Sequence, residues 1–122
     1  MLDRLKPLHL RRGVQAENWA EKFLAGKGLT TIARNYRCKS GEIDLIMEDG
    51  ATLVMVEVRY RKNAAFGSAL ESVTPRKQAR IIAAASHYLV KHPIDRPVRF
   101  DVVAISGDNT LNWVQNAFQT TG

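Results

Sequence analysis

The fold is decided by residues 41–61, GEIDLIMEDGATLVMVEVRYR. Two apolar runs flank Asp49 and Gly50, and Asp-Gly between such runs is typical of a two-residue β-hairpin turn. We therefore predict an antiparallel hairpin whose turn residues are Asp49 and Gly50. That turn fixes the register, because pairing then proceeds outward one residue at a time. The predicted partners are Glu48 with Ala51, Met47 with Thr52, Ile46 with Leu53, Leu45 with Val54, Asp44 with Met55, Ile43 with Val56 and Glu42 with Glu57.

The two faces of this hairpin differ in character, because side chains alternate across a strand. One face is entirely apolar and carries Ile43, Leu45, Met47, Val54, Val56 and Val58. The opposite face is apolar near the turn and charged away from it. The charged end collects Glu42, Asp44, Glu57 and Arg59. We expect the hairpin to be largely buried, with this charged end beside the core.

The charged end of the hairpin brings three carboxylates together. Like charges on neighbouring strands repel, and diagonal neighbours lie only about 7–8 Å apart. A divalent cation removes that repulsion, and Mg²⁺ is held by one or two carboxylates together with water and substrate phosphate. We predict a site for Mg²⁺, or Mn²⁺, at Asp44 and Glu57. The alternative is that Arg59 and other arginines neutralise the acids on a solvated sheet edge.

Length and composition are those of a single ordinary domain. The chain has 122 residues, of which 45% are hydrophobic and 25% charged, enough for a core without disulfides. No apolar run approaches the roughly 18 residues of a membrane span, and the N-terminus lacks a signal-peptide core. The single cysteine, Cys38, fits a reducing compartment. We predict a cytoplasmic protein with a flexible basic arm (residues 1–12), one α/β domain (13–118) and a tail (119–122).

The charge balance favours an anionic partner. Eighteen Lys and Arg against twelve Asp and Glu give a net charge of +6, which favours nucleic acid. Basic clusters flank the carboxylates in sequence and predict a rim that guides phosphate; they are Arg11-Arg12, Arg34-Arg37-Lys39, Arg59-Arg61-Lys62 and Arg76-Lys77-Arg80. The sequence has no zinc spacing and no base-reading motif, so we expect recognition of shape and backbone.

The remaining chain predicts alternating helices and strands. Thr74 as N-cap and Pro75 as first helical residue begin a second helix, which stops before Pro93. Residues 63–73 have no clear periodicity. The predicted elements are a helix over 14–27, strands over 30–37, 41–48 and 51–61, a helix over 75–92, and strands over 98–106 and 111–114. The predicted order is therefore α-β-β-β-α-β-β, an α/β fold with a mixed β-sheet flanked by helices.

Several charged positions outside the hairpin have two interpretations. Arg76 and Lys77 occupy the first turn of the second helix, where acids are usual; they fit a phosphate site, or they extend into water. Glu17 borders the apolar stripe of the first helix, where it either supplies a further carboxylate to the metal site or is solvated. Glu21 is predicted to be an ordinary surface charge. Asp101 is predicted to be partly buried and paired with an arginine.

These residues resemble the YraN family of small bacterial endonuclease-like proteins. The resemblance spans about residues 13–118, includes Glu17, and rests on Gly41-Glu42-Ile43-Asp44-Leu45-Ile46, Val56-Glu57-Val58-Arg59-Tyr60-Arg61, Phe66-Gly67, Lys77 and Arg99-Phe100-Asp101-Val102-Val103. It implies a restriction-endonuclease-like and Holliday-junction-resolvase-like fold, whose active site uses an acid on one strand and Glu-x-Lys on the next. By this resemblance the first acid is Asp44, the glutamate is Glu57, and Arg59 stands at the lysine position.

Arg59 departs from the nuclease pattern. Arginine stays protonated and cannot act as a general base, although it can bind phosphate oxygens through two hydrogen bonds. Metal-bound water can still supply the nucleophile. Lys77 or Lys62 can replace the missing lysine, and the sequence does not decide between them.

The sequence leaves two functions open. The first is a Mg²⁺-dependent endonuclease on structured DNA, with Asp44 and Glu57 as metal ligands, Glu17 as auxiliary carboxylate and Arg59 on the phosphate. Its nucleic-acid contacts are predicted at Arg61, Lys62, Arg76, Lys77 and Arg80. The second is a catalytically inactive nucleic-acid-binding module that assists a recombination or repair partner. DNA as the partner rests on the resemblance. A homodimer is a further expectation, and no membrane partner is expected.

Overall fold

A computed structural model describes the backbone of residues 8–62 and 66–120, and the side chains of this part except those of residues 8–12 and 66–68. A flexible arm was predicted for residues 1–12. Residues 1–7 of that arm lie outside the described residues, and residues 8–12 belong to helix α1, which begins at Leu8. The elements are α1 (Leu8–Gly26), β1 (Thr30–Cys38), β2 (Gly41–Asp49), β3 (Thr52–Arg61), α2 (Phe66–Glu71), α3 (Pro75–Lys91), β4 (Val98–Ser106) and β5 (Leu111–Phe118).

The predicted α/β architecture and element order are confirmed, with one additional short helix. The five strands form one mixed sheet in the order β1-β2-β3-β4-β5. Only β3 and β4 are parallel, because α2 and α3 connect them and return the chain to the same end of the sheet. The sequence missed α2, whose six residues are too few for a helical period to show. None of the helices in the described ranges is long and apolar enough to cross a membrane.

Apolar side chains form a separate core on each face of the sheet. The α1-side core joins the helix to the sheet through Ala16, Ala20, Leu24, Leu29, Leu45, Met47, Val54, Val56, Val103 and Ile105. The α3-side core contains Ile43, Ile46, Leu53, Met55, Val73, Ile81, Ala84, Ala85, Tyr88, Phe100, Val102 and Phe118. The strands of the hairpin are therefore buried on both faces, which explains their nearly continuous apolar sequence.

The predicted register of the hairpin is wrong by two residues. Asp49 pairs with Thr52 and Met47 with Val54, so the loop residues are Gly50 and Ala51 rather than Asp49 and Gly50. Gly50 takes the first loop position with φ of 60°, the left-handed conformation that a type II′ turn requires there. A shift of two residues leaves the side chains on their predicted faces, whereas a shift of one would reverse them all. Ile43 is the exception: it was predicted on the face of Leu45, and it lies instead in the α3-side core.

The last strand is longer than the sequence predicted, because a bulge carries it past Val114. Phe100 pairs with Phe118 and Val102 with Val114, so one residue of β4 faces three residues of β5. Asp101 occupies that position. Its carboxylate accepts hydrogen bonds from the Arg99 side chain and, at 3.0 Å, from the backbone N–H of Asn116. The predicted pairing of Asp101 with an arginine is confirmed.

Candidate functional site

The candidate site lies where β2 and β3 stop pairing. Leu45 and Val56 are the last paired residues, and the next residues outward are Asp44 and Glu57, which we call the acidic pair. Asp44 Oδ2 accepts a hydrogen bond from the backbone N–H of Val58 at 2.8 Å. At the point where the strands separate, a backbone N–H of β3 thus donates to a side-chain carboxylate of β2.

The corrected register changes which acids are neighbours. The prediction set Glu42 opposite Glu57, and this is wrong. Glu42 on β2 pairs with Arg37 on β1, and its Oε2 lies 3.2 Å from Arg37 Nε. The residue beside Glu57 is Asp44, which lines the same cleft and whose charge contributes to the raised pKa of Glu57.

A local reversal of side-chain direction opens the sheet at this point. Leu45 belongs to the α1-side core, but Ile43, two residues earlier, belongs to the α3-side core. On the neighbouring strand β1, Asn35 has φ of 51°, a conformation that asparagine tolerates better than most residues. At the start of β2, a Cβ on Gly41 would overlap the backbone carbonyl of Arg80. Glycine therefore lets α3 approach the acidic pair closely.

The separation of the strands creates a cleft of about 210 Å³ between α1 and α3. Its lining combines acids with bases: Glu17, Glu42, Asp44, Glu57, Val58, Arg59, Lys77, Arg80 and Ile81. All four residues predicted to be catalytic therefore line one cleft, although they come from α1, β2 and β3. Of the five predicted nucleic-acid contacts, two line it, Lys77 and Arg80.

Three carboxyl groups in the cleft, those of Glu57, Asp44 and Glu17, have raised pKa values. Burial, followed by the charge of Asp44, raises the pKa of Glu57 from 4.5 to about 9. Burial is also the main cause that raises the pKa of Asp44. The pKa of Glu17 rises from 4.5 to about 7, first through burial and then through the charges of Asp44 and Glu42. The cluster is therefore short of positive charge.

Arg59 compensates the negative charge of the cleft carboxylates only in part. Its Nη1 lies 3.5 Å from Glu57 Oε2, while its Nε donates to Ser72 Oγ at 2.9 Å. Ser72 in turn donates to the carbonyl of Ala69 at 2.6 Å, which fixes the hydroxyl in place. The pKa of Glu57 stays raised despite Arg59. The sequence carried no signal for Ser72, which lies in the segment without periodicity.

The donor set suits a cation that takes much of its coordination from water or substrate. Within the described ranges, no group of three His, Cys, Asp or Glu side chains is arranged to hold a metal ion. Glu17 lines the cleft, but it does not complete such a group with the acidic pair. Two adjacent carboxylates are a sufficient protein contribution for Mg²⁺, which retains water and binds substrate phosphate.

The basic residues divide into a group at the cleft and a group outside it. Lys77 lies in the first turn of α3, which begins with Thr74 as N-cap, as predicted; Thr74 Oγ1 accepts the Lys77 N–H at 3.2 Å. The charge of Lys77 acts on Glu57 and lowers its pKa. Arg76 and Lys62 are exposed and absent from the cleft lining, and Arg61 lines a neighbouring cavity.

Glu21 is more than the ordinary surface charge that the sequence predicted. Its carboxylate accepts from Thr31 Oγ1 at 2.6 Å and from Arg34 Nε at 2.9 Å. The side chain is only 17% exposed. Glu21 therefore ties α1 to the edge strand β1 and helps position Glu17, which lies one turn earlier on the same helix.

We expect the metal-free protein to lose stability between pH 5 and 8. Below pH 4.5 Glu57 is protonated in both states, whereas between 4.5 and about 9 only the unfolded chain releases the proton. The free energy of unfolding therefore falls as pH rises. The melting temperature in chelator should drop on the order of 10 °C.

Glu57→Gln should flatten this pH profile and raise the melting temperature at pH 8. Glu71→Gln is the matched control, since Glu71 is exposed, and it should follow the wild-type profile. A wild-type melting temperature that rises steadily from pH 5 to 8 would contradict the buried acidic pair.

The fold and the site define a class of small α/β protein, in which a five-stranded mixed sheet separates at a buried acidic pair beneath a partly basic cleft. The family follows from sequence comparison. The chain belongs to the uncharacterised protein family UPF0102, whose model matches residues 16–105. This span contains every residue that lines the cleft.

Similar proteins match along most of their length. A UPF0102 protein of Saccharophagus degradans is 54% identical over 112 residues, covering 90% of this chain and 94% of its own. One from Nitrosomonas eutropha is 51% identical over 107 residues, covering 88% and 92%. One from Pseudomonas putida is 50% identical over 115 residues, covering 89% and 94%. Each of these matches therefore covers about nine tenths of this chain.

Proposed function

We propose that this protein is a Mg²⁺-dependent endonuclease that acts on structured DNA. The observation that carries the proposal is the acidic pair: Asp44 and Glu57 lie side by side in one cleft where their strands separate, and burial raises the pKa of both. Acids on two adjacent strands also match the restriction-endonuclease-like active site that the resemblance to the YraN family implies. We assign the fold to that type on the same grounds.

The residues around the acidic pair have separate roles in this proposal. Asp44 and Glu57 would hold the cation, which when bound would offset charge on the scissile phosphate and lower the pKa of a water molecule. Glu17 stands at the edge of the cleft as the auxiliary carboxylate. Its pKa of about 7 in the metal-free protein suits proton exchange with water near neutral pH. Arg59 binds a phosphate oxygen while Ser72 holds its guanidinium.

Lys77 takes the place of the lysine missing at Arg59. It lines the cleft and its charge acts on Glu57, whereas Lys62 lies outside the lining. Lys77→Ala is therefore expected to slow cleavage about 100-fold, because a cation that stabilises developing charge is lost. The single-turnover rate measures this effect.

Arg76→Ala is the matched control for Lys77→Ala. Arg76 is the preceding residue, equally basic and exposed, but it does not line the cleft. Its loss should weaken binding slightly and leave the single-turnover rate within about threefold. Equal losses in the two variants would mean that Lys77 only adds to the general positive field.

The proposal is tested by incubating the protein with duplex, single-stranded and four-way-junction DNA in Mg²⁺, Mn²⁺ or chelator. Cuts that require the metal support the endonuclease. Binding without cuts in any metal supports the second candidate, an inactive nucleic-acid-binding module, which the arginine at the lysine position favours. The absence of DNA binding even at low salt would contradict both, because the backbone contacts are electrostatic.

A further inference from the structure

Three adjacent cavities share walls and extend from the acidic pair, and we call them together the groove. The cleft shares Glu17, Val58 and Arg59 with a second cavity of about 290 Å³. The second shares Ala16 and Tyr60 with a third cavity of about 180 Å³. The groove therefore follows α1 and the last residues of β3. Tyr60, which lines the third cavity, lies about 10 Å from Glu57, because it is three residues further along β3.

The chemistry of the groove changes along its length. The acids lie at one end, and Arg59 and Arg61 line the middle cavity. The far cavity is lined by two aromatic rings together with polar and apolar groups: Gln15, Ala16, Trp19, Tyr60, Ile105 and Asn109. Arginines followed by aromatic rings are the combination with which proteins hold single-stranded nucleic acid.

The exposure of Trp19 distinguishes it from an ordinary core residue. Its side chain is 36% exposed, and within the described part of the chain it stacks on no other aromatic ring. The other tryptophan, Trp113, packs edge-on against Phe23 and donates to Asp101. Tyr60 is partly buried against the α1-side core, which fixes its ring. The far cavity thus has a fixed ring and an accessible ring on its walls.

We propose that the groove binds an unpaired DNA strand, whose phosphates lie along Arg59 and Arg61 and one of whose bases stacks at Trp19 and Tyr60. A base can present its flat face to these rings only when it is outside a duplex. The proposal rests on the proposed function and narrows its substrate class to DNA with an unpaired segment next to the scissile phosphate. Trp19 and Tyr60 then determine which structures are bound.

The test compares a short fluorescent oligothymidylate with a duplex of matched length, in chelator so that no cutting occurs. Trp19→Leu should weaken single-strand binding about tenfold and change duplex binding by less than about twofold. Trp19→Phe keeps an aromatic face and should restore most of the affinity. Tyr60→Leu retains the packing on the core and should weaken single-strand binding in the same way.

Ile32→Ala serves as the matched control, since Ile32 is 39% exposed but lies on β1, outside the groove. Its single-strand affinity should equal that of the wild type. Undiminished binding by Trp19→Leu, or an equal loss for single strand and duplex, overturns the groove assignment even where the wild type cleaves DNA. Binding that depends on Trp19 without metal-dependent cuts supports the groove and overturns only the endonuclease. A wild type that binds no DNA overturns both.

Discussion

Asp44→Asn is expected to slow DNA cleavage on the order of 1000-fold while DNA binding stays equal or becomes tighter. A cation at the acidic pair supplies several kcal/mol of charge stabilisation, and each 1.4 kcal/mol is about tenfold in rate. The substitution removes a negative ligand but keeps an oxygen that can accept the Val58 N–H. Binding is preserved because a carboxylate facing the phosphates is gone.

The asparagine variant should also fold at least as well as the wild type in chelator. Burial penalises the charged form of Asp44, and the charge of Asp44 raises the pKa of Glu57, so one source of repulsion disappears. Asp108→Asn changes an exposed turn acid and should cleave like the wild type. Wild-type cleavage by Asp44→Asn, with the fold intact, would remove Asp44 from the active site.

The largest expected effect on stability is that of Asp101→Ala. Asp101 is fully buried and accepts four hydrogen bonds: two from Arg99 at 2.9 Å, one from Trp113 Nε1 at 2.9 Å and one from the Asn116 N–H at 3.0 Å. Its removal leaves a partly buried guanidinium and two donors without their acceptor. Breaking a buried ion pair on one side costs about 3–5 kcal/mol, so the melting temperature should fall on the order of 15 °C.

Asp49→Ala provides the comparison for Asp101→Ala. Asp49 lies 3.1 Å from Nη1 of the same Arg99, but its side chain is 38% exposed, and exposed pairs contribute about 0–1 kcal/mol. The melting temperatures of Asp101→Ala and Asp49→Ala should therefore differ clearly. Similar, small losses would show that the bulge between β4 and β5 does not depend on the Asp101 carboxylate.

Local patterns in the sequence were sufficient to predict the two strands of the hairpin and the faces of their side chains, with the exception of Ile43. The alternation of Leu45, Met47, Val54 and Val56 defines a buried face, and this pattern survives a register shift of two residues. The exact register did not follow, because Asp-Gly fits more than one turn type. Glycine occupies the first loop position in the structure, and this choice moves Glu42 away from Glu57.

Features that depend on contacts distant in sequence could not be predicted. The extension of β5 needs the Asp101 carboxylate to bond Asn116, 15 residues away. The position of Lys77 in the cleft lining, from which Lys62 is absent, depends on how α3 approaches Gly41, where Arg80 leaves no room for a side chain. Glu17 was predicted at the border of the apolar stripe of α1. The structure was needed to show that Glu17 lines the cleft together with Asp44 and Glu57.

The most direct test of a cation site at the acidic pair is a calorimetric titration of Mn²⁺ into the wild type and Asp44→Asn at pH 8. The wild type should bind a single Mn²⁺ per chain and release a proton, since the pKa of Glu57 is about 9 without metal and carboxylate ligands must be deprotonated. Asp44→Asn should lose most of this heat and the proton release. Equal Mn²⁺ binding by both proteins, or none by the wild type at millimolar metal, would contradict the site.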